Sequence, residues 1–500
     1  MIQNITDTIA AISTPPGIGA VGIVRISGPA AKDVLKRVWI NREQPVDTFV
    51  THRMYYGKLT GLSTGEIPPL PVKGCGPNGV LRPPLKKGGG DESPPLKKGG
   101  GGGFAVIDNV LAVWMKGPHS YTGEDVVELN CHGGAFTTKA VLDAILSNGA
   151  RLAEPGEFTR RAFLNGRLDL AQAEAVADVI NATSERALRL ANEQLEGRFS
   201  TELKAEMGAL KELKAFVEAS IDFPEEDIEF LEHEQVGKKI AGINKRLEHL
   251  SSTYNEGRLI HDGVRVAIVG KPNVGKSSIL NALLGSDRAI VHASPGTTRD
   301  VIEEGVSLDG LMFRLVDTAG IRDSICEIER MGIDRAKMKL SEADVALVVM
   351  DPTRPFDKDD ETILKETVDI KRIIVVNKKD LVGDRDEETI DFDDSTKKLL
   401  VSAKTLEGIP ELKEQLVLFV TGGQDLEGEG VIITNLRHKK EIDSAASALD
   451  GALISLGNRE SAEFIAHHLQ VAMDALGRVT GEVGVEDVLN EIFSKFCVGK

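Results

Sequence analysis

The stretch that most restricts what this chain can fold into is 264–281, Val-Arg-Val-Ala-Ile-Val-Gly-Lys-Pro-Asn-Val-Gly-Lys-Ser-Ser-Ile-Leu-Asn. Its first six residues are rich in β-branched side chains and predict a buried strand. Gly270 ends that run, and Ile279, Leu280, Leu283 and Leu284 at 3–4 spacing predict a helix beyond it. The loop between them fits GxxxxGK[ST] from Gly270 to Ser277. Such a loop wraps main-chain N–H groups around a phosphate at a helix N-terminus, with Lys276 adding charge and Ser277 a hydroxyl for Mg2+. The competing reading, a chance glycine loop, is weakened by the strand before it and the helix after it. Asn273, Val274, Gly275, Lys276, Ser277 and Ser278 are thus the expected phosphate contacts.

Further signals follow in the order a guanine-nucleotide domain requires. Pro295-Gly296-Thr297-Thr298-Arg299-Asp300 lies in a polar loop from which Thr298 can reach Mg2+. The strand-like 313–316 ends at Asp317-Thr318-Ala319-Gly320, a metal-side carboxylate and a γ-phosphate-sensing glycine. After another buried run at 345–350 comes Ile373-Ile374-Val375-Val376-Asn377-Lys378-Lys379-Asp380. It places Asn377 and Asp380 at a strand end, where a carboxylate can accept two N–H bonds from guanine; adenine offers no such donor pair. Ser402, Ala403 and Lys404 form the last base-facing loop. Each motif alone is weak, but four in order behind a P-loop specify GTP. A gap remains: where Ras-like proteins place a water-orienting glutamine, this chain has Ile321. Either a cation held by Asn273 or a carboxylate in Glu327-Ile328-Glu329 can fill that role. A loop-bracing Asn273 and a surface Glu329 remain open alternatives.

At 500 residues the chain exceeds a single core and is expected to form about three domains. With 41% apolar and 27% charged residues it reads as a soluble globular protein. No basic, then apolar, leader opens it, and no run of about 18 apolar residues predicts a membrane span. Cys75, Cys131, Cys326 and Cys497 lack metal or disulfide spacing, as expected in a reducing cytoplasm. The formal net charge of −17 argues against loose, non-specific nucleic-acid binding, though not against a local basic site.

Before the P-loop, 7–26 predict two strands around Pro15-Pro16-Gly17-Ile18-Gly19, with a helix from Pro29 to Val38. Arg25 lies within a buried-looking strand, where the plainer reading is a strand-edge arginine paired with a carboxylate. Residues 68–103, with Pro-Pro-Leu-Lys-Lys-Gly-Gly-Gly at 83–90 and again at 94–101, predict a disordered insertion. Strands are expected at 105–107, 110–115 and up to Asn130, and a helix over 135–146. Glu128 alternates with apolar neighbours, and spacing alone favours solvent for it. Residues 168–220 predict a long helical stretch interrupted at Gly197 and Gly208 and broken by Phe223-Pro224. A further helix is expected to about Tyr254, then others at 435–453, 462–476 and 485–496. Helices on both sides of a self-contained α/β unit imply that the unit is inserted into one helical domain.

Taken together, the chain resembles the MnmE (TrmE) family of tRNA modification GTPases over nearly its whole length. The likeness rests on Val21-Gly22-Ile23-Val24-Arg25-Ile26-Ser27-Gly28, Ser120-Tyr121-Thr122-Gly123-Glu124-Asp125 and the run from Pro155 to Leu170. It rests also on the Asn273-bearing P-loop, Gly296-Thr297-Thr298-Arg299-Asp300 and the final Phe496-Cys497-Val498-Gly499-Lys500. Several of these lie outside the nucleotide domain and so separate the family from other P-loop GTPases. The resemblance implies a multidomain α+β and α/β protein. It would comprise an N-terminal folate-binding-like dimerisation domain (1–165), a helical domain in two parts (166–263 and 425–500) and an inserted Ras-like GTPase domain (264–424). It further implies a homodimer working in a heterotetramer with an FAD-dependent MnmG-type partner on C5 of the wobble uridine of certain tRNAs, with a 5-formyl-tetrahydrofolate-type one-carbon donor. Arg25, Glu128, Arg167 and Lys500 fall on the family's folate-contacting positions; cations suit the glutamate tail and a carboxylate the pterin N–H donors. Cys497 lies near that site, as a reactive or a structural thiol. Asn273 falls on the position that ligates K+ when two nucleotide domains meet. His292, Ser294 and Thr297 are in the loop that closes over the ion, and Ala293 lies among the GTP contacts. Glu329 matches the family's water-orienting carboxylate, which, with Lys276, would carry catalysis. A ribosome-assembly or regulatory switch GTPase is the alternative, and the folate set is what distinguishes the two.

Overall fold

The computed structural model describes residues 7–61, 106–222, 233–285, 288–289, 304–317, 340, 342–382, 397–422, 430–484 and 486–500. The expected insertion at 68–103 lies outside them. The chain forms two compact units: the described residues up to Leu168 together with Asp487–Lys500, and Asp169–Glu486.

The first unit is built on a seven-stranded sheet. Its strands are β1 (Ile9–Ile12), β2 (Val21–Ser27), β3 (Trp39–Ile40), β4 (Met54–Thr60), β5 (Val106–Met115), β6 (Val126–His132) and β7 (Arg151–Leu152), in the order β3-β4-β5-β6-β2-β1-β7. Neighbours are antiparallel except β1 and β7. Helices Ala31–Val38 and Ala135–Leu146 contribute Val34, Leu35, Val141 and Ile145 to a core with Val24, Ile26, Val127 and Leu129 of the sheet. The runs expected as two strands at 105–107 and 110–115 are one ten-residue strand, β5. Polar Asp108 and Asn109 stay in the ladder with β4, and Asp108 accepts the His132 N–H at 2.8 Å. A polar pair breaks the hydrophobic pattern without breaking backbone pairing.

The tail 487–500 packs with this unit. Phe493 lies near Phe163 and Phe496, with ring centroids 6.5 and 5.7 Å away. The Phe493 carbonyl and the Phe496 side chain close over Gly156, where an added Cβ would come within 2.6 Å of that carbonyl. Gly499 (φ +97°) turns the chain where a Cβ would meet the Ile12 carbonyl at 2.3 Å, so only glycine can make this approach.

The second unit holds two cores. One is helical: Leu203 and Leu210 of helix Arg198–Asp222 and Ile240 and Leu247 of helix His233–Ser252 pack with Leu449 of helix Leu436–Gly457 and Leu469 and Leu476 of helix Ala462–Thr480. Segments before and after the nucleotide motifs thus share one core. The long stretch from 168 is three helices, Leu170–Asn181, Glu185–Leu195 and Arg198–Asp222. Gly208 does not interrupt the last, whereas a break at 182–184 does separate the first two. Ser184 is the cause: its side chain accepts the Ala187 N–H at 3.2 Å, an N-cap that starts a new helix. The helix expected to reach Tyr254 ends at Ser252, and a separate one spans Tyr254–Asp262.

A buried carboxylate, Glu174, ties helix Leu170–Asn181 to Leu436–Gly457. It accepts Arg437 Nη2 and His438 Nε2, both at 2.6 Å. Burial works against its charge, but His438 first and Arg437 next outweigh burial and hold its pKa at about 2.

The other core surrounds a second seven-stranded sheet. It contains β8 (Val264–Val269), β9 (Arg288–Ala289), β10 (Glu304–Leu308), β11 (Leu311–Asp317), β12 (Val345–Met350), β13 (Arg372–Val376) and β14 (Lys398–Leu400), in the order β14-β13-β12-β8-β11-β10-β9. The five strands from β14 to β11 are parallel. Strand β8 lies between β12 and β11, so the chain leaves it where successive connections diverge to opposite sides, the place where ligands bind in open α/β sheets.

Candidate functional sites

The P-loop follows β8 at that point. Gly270 (φ +153°) and Gly275 (φ +101°) bound it, and a Cβ on Gly275 would lie 2.1 Å from Asn377 Nδ2. Lys276 begins helix Lys276–Leu284 and is largely buried; its ammonium donates to the carbonyls of Gly270 at 3.0 Å and Lys271 at 2.7 Å. Ser277 and Ser278 are exposed in the same first turn. Four N-terminal N–H groups of a helix lack intrahelical partners, so anion acceptance here follows from the backbone.

Side chains from other elements fix the loop. Lys271 reaches Asp357 at 3.0 Å and Asp360 at 2.6 Å, at the start of helix Lys358–Glu366. Asn273 is left-handed (φ +64°) and exposed, and its carbonyl accepts Lys378 Nζ at 3.1 Å. Asn377, buried at the end of β13, donates Nδ2 to the Val274 carbonyl at 3.0 Å and accepts the Ala403 N–H on Oδ1 at 3.0 Å. Its amide therefore joins the phosphate loop to the base loop. Asp380 Oδ1 accepts the Ser402 hydroxyl at 2.7 Å, which orients the carboxylate meant for guanine. Lys404 is exposed beyond it.

The structure thus gathers Asn273, Val274, Gly275, Lys276, Ser277, Ser278, Asn377, Lys378, Asp380, Ser402, Ala403 and Lys404 around one sheet edge. Asp317 ends β11. His292, Ala293, Ser294, Pro295, Gly296, Thr297, Thr298, Thr318, Ala319, Gly320, Ile321 and Glu329 lie outside the described residues. Ser277 offers the hydroxyl that suits Mg2+, and Asn273 a neutral carboxamide oxygen of the kind that suits a monovalent cation. Sequence reasoning missed Asp351, a buried carboxylate one residue past β12. Its signal was available: an acidic residue directly after an all-apolar strand, at the ligand-bearing end of the sheet.

The first unit holds a second constellation. Arg25 and Glu128 are cross-strand partners on β2 and β6, and the Arg25 Nε–Glu128 Oε1 distance is 2.8 Å. Both side chains are largely shielded. This corrects two expectations: β2 is an interior strand, so Arg25 is not at an edge, and Glu128 faces Arg25 rather than open solvent. The Arg25 guanidinium lies 5.3 Å from the Tyr121 ring centroid and 5.7 Å from that of Phe158, within cation–π range.

Lys500 arrives on the tail, whose main chain is fixed by Phe158 N–H donating to the main-chain oxygen of Lys500 at 3.2 Å. Burial first, and then repulsion from Arg25, hold the Lys500 ammonium below the usual lysine range, while Glu128 pulls the other way. Arg167 is exposed beside the 120–125 loop, its stem 3.2 Å from where a Gly123 Cβ would stand, and the described contacts do not bring its guanidinium to Arg25. That loop is braced by fully buried Arg161, which binds Glu124, Glu157 and Asp7, and by the Ser27 hydroxyl on Glu124 at 2.7 Å. Tyr121 and Phe158 form the walls of the cluster; neither was singled out from sequence, since only the fold brings them to Arg25.

Known proteins are similar to this chain across both units. The model of the MnmE helical domain matches residues 170–497, and that of the GTP-binding protein TrmE N-terminus matches 8–68 and 96–167. The tRNA modification GTPase MnmE of Carboxydothermus hydrogenoformans is 40% identical over 99% of both chains, and that of Geobacter metallireducens 41% identical over 99% of both. Among solved structures, Aquifex aeolicus Era bound to GDP and aluminium fluoride is 30% identical, covering 37% of this chain and 66% of its own at a TM-score of 0.26. The G domain of the T. maritima FeoB iron transporter is 28% identical, covering 31% and 98% at a TM-score of 0.24. At those TM-scores the overlays add nothing to the sheet order above. With P-loop, guanine loop and N-terminal constellation in place, and full-length relatives at about two-fifths identity, the chain belongs to the MnmE family of tRNA modification GTPases.

Proposed function

We propose that this GTPase is potassium-activated and that, with an FAD-dependent MnmG-type partner, it modifies C5 of the wobble uridine of certain tRNAs from a formyl-tetrahydrofolate-type donor. The observation that carries this reading is the Arg25–Glu128–Lys500 cluster, walled by Tyr121 and Phe158, in the same chain as a guanine-nucleotide site. A switch GTPase that acts only by binding RNA or protein has no use for such a cluster. Its cations match the carboxylates of a folate tail, its rings the flat pterin, and Glu128 the pterin donors. Arg167 adds a further cation from the neighbouring loop.

In the nucleotide site the loop amides and Lys276 neutralise phosphate charge, Ser277 and Thr298 hold Mg2+, and Asp380 selects guanine. Asn273, with His292, Ser294 and Thr297, would hold potassium. The ion supplies, when bound, the charge that an arginine finger supplies elsewhere. Glu329 orients the attacking water in place of the missing glutamine. The active form is a homodimer in the cytoplasm, and the substrate is tRNA.

Two titrations test this reading on the full chain. The first adds 5-formyl-tetrahydrofolate and follows binding directly; saturable binding is expected, and none would leave the cluster without its ligand. The second follows GTP turnover in KCl and in NaCl, with Glu329→Ala beside the wild type. Faster turnover in KCl and a slow variant that still binds GTP are expected. Equal rates in both salts would remove the potassium role, and a wild-type rate for Glu329→Ala would remove that of Glu329.

A further inference from the structure

We propose that Asp351 is a positioning residue for GTP hydrolysis, holding the head of Lys378 on the phosphate loop. Strand β12 ends at Met350, and Asp351 follows with a side chain only 1% exposed. Its two oxygens have different partners. Oδ1 accepts the Thr353 N–H at 3.0 Å and the Thr353 hydroxyl at 2.6 Å, so a tight turn fixes the rotamer. Oδ2 accepts Lys378 Nζ at 2.5 Å, with Arg354 farther off at 3.7 Å. The same ammonium donates to the Asn273 carbonyl at 3.1 Å. A carboxylate, a lysine and a loop carbonyl therefore form one relay across the mouth of the sheet.

The relay explains two backbone features together. Lys378 (φ +68°) and Asn273 (φ +64°) are both left-handed without being glycine, a conformation that costs free energy wherever a side chain is present. Each is anchored at its partner through the Lys378 ammonium. A lysine in the guanine-recognition motif can serve the base with its stem or the phosphates with its head. Here the head is committed to the phosphate loop, beside Val274, whose carbonyl Asn377 holds independently at 3.0 Å. Lys378 without its carboxylate keeps only a neutral acceptor, and hydrogen bonds between charged partners are about twice as strong as neutral ones. Removing the Asp351 charge should therefore loosen Asn273 and the following amides while Asp380 and its Ser402 brace stay in place.

Asp351→Asn, which keeps the shape and the Thr353 turn, is compared with wild type and with Thr353→Val, which keeps the charge but loses the hydroxyl. Measurements are kcat and KM for GTP, the preference for GTP over ATP, and hydrogen exchange at the 273–276 amides of the nucleotide-free chain. For Asp351→Asn a fall in kcat of about tenfold is expected, with faster exchange at 273–276 and an unchanged guanine preference. Thr353→Val should show a smaller effect of the same sign. Loss of guanine preference with kcat intact would overturn the proposal by assigning Lys378 to the base. Unchanged exchange at 273–276, with melting as in wild type, would overturn it too. The assay needs neither folate nor a salt comparison, so its outcome is independent of the potassium and one-carbon readings.

Discussion

The two candidate sites are assembled differently, one from a contiguous loop and the other from cross-strand partners. At the nucleotide site the attracting charge, Lys276, is held by backbone carbonyls of its own loop. In the first unit the attracting charge, Arg25, is held by a carboxylate, Glu128. An anion entering the P-loop meets the main-chain N–H groups of the helix end together with that ammonium. An anion entering the first unit must compete with a charge already present, so its net gain comes from Lys500 and from the aromatic walls. The nucleotide loop presents main-chain N–H groups and a lysine to phosphate, whereas the ligand proposed for the first unit would need donors for Glu128 as well as negative charge.

Lys276→Ala should have the largest effect, lowering GTP hydrolysis by about a thousandfold and leaving folate titration unchanged. A parallel loss of folate binding would break the separation of the two sites. Next comes Gly275→Ala, whose Cβ would collide with Asn377 Nδ2 in a backbone state already costly for alanine. About a hundredfold loss in kcat/KM is expected, measured by steady-state hydrolysis. Arg25→Ala should weaken folate binding by about thirtyfold and leave GTP turnover alone, read by calorimetric titration. Glu128→Gln sharpens the contrast because its sign depends on the ligand: about fivefold weaker binding of folate but stronger binding of a simple polyglutamate. If both ligands weaken, Glu128 does not compete for the cations. The smallest effect is one of pH. The Lys500 ammonium is destabilised by burial and by Arg25, so its proton is lost below the usual lysine value of 10.5. Folate affinity should decline as alkaline pH is approached, earlier than in a Lys500→Arg variant, while GTP affinity over the same interval stays flat.

The phosphate loop was legible because its parts are contiguous: a strand, a glycine loop and a helix start lie within 264–281. The first-unit cluster was legible only through family likeness. Arg25 and Glu128 are 103 residues apart and meet by cross-strand register, which spacing within either strand cannot reveal. Local composition misled in two places. Gly208 looked like a helix breaker but lies in a helix with open space around its Cα, where the penalty is only the modest helix cost of glycine. Asp108 and Asn109 looked like a gap between strands, but the ladder with β4 carries them. The break at Ser184 was readable as an N-cap before a helical run and was passed over in favour of composition.

The Ser13 hydroxyl donates to the Gly499 carbonyl across 486 residues of sequence. At ribosomal speeds of about 5–20 residues per second, the partner strand waits roughly half a minute to a minute and a half for the segment that completes its surroundings. Through that interval the emerging sheet must be tolerated with its tail-binding groove bare. A nascent chain stalled between Lys404 and the tail would carry every nucleotide-loop motif but lack the Lys500 that the Arg25 cluster awaits. In vivo, therefore, premature termination and slow translation should hurt the Arg25–Glu128 cluster before the nucleotide loops.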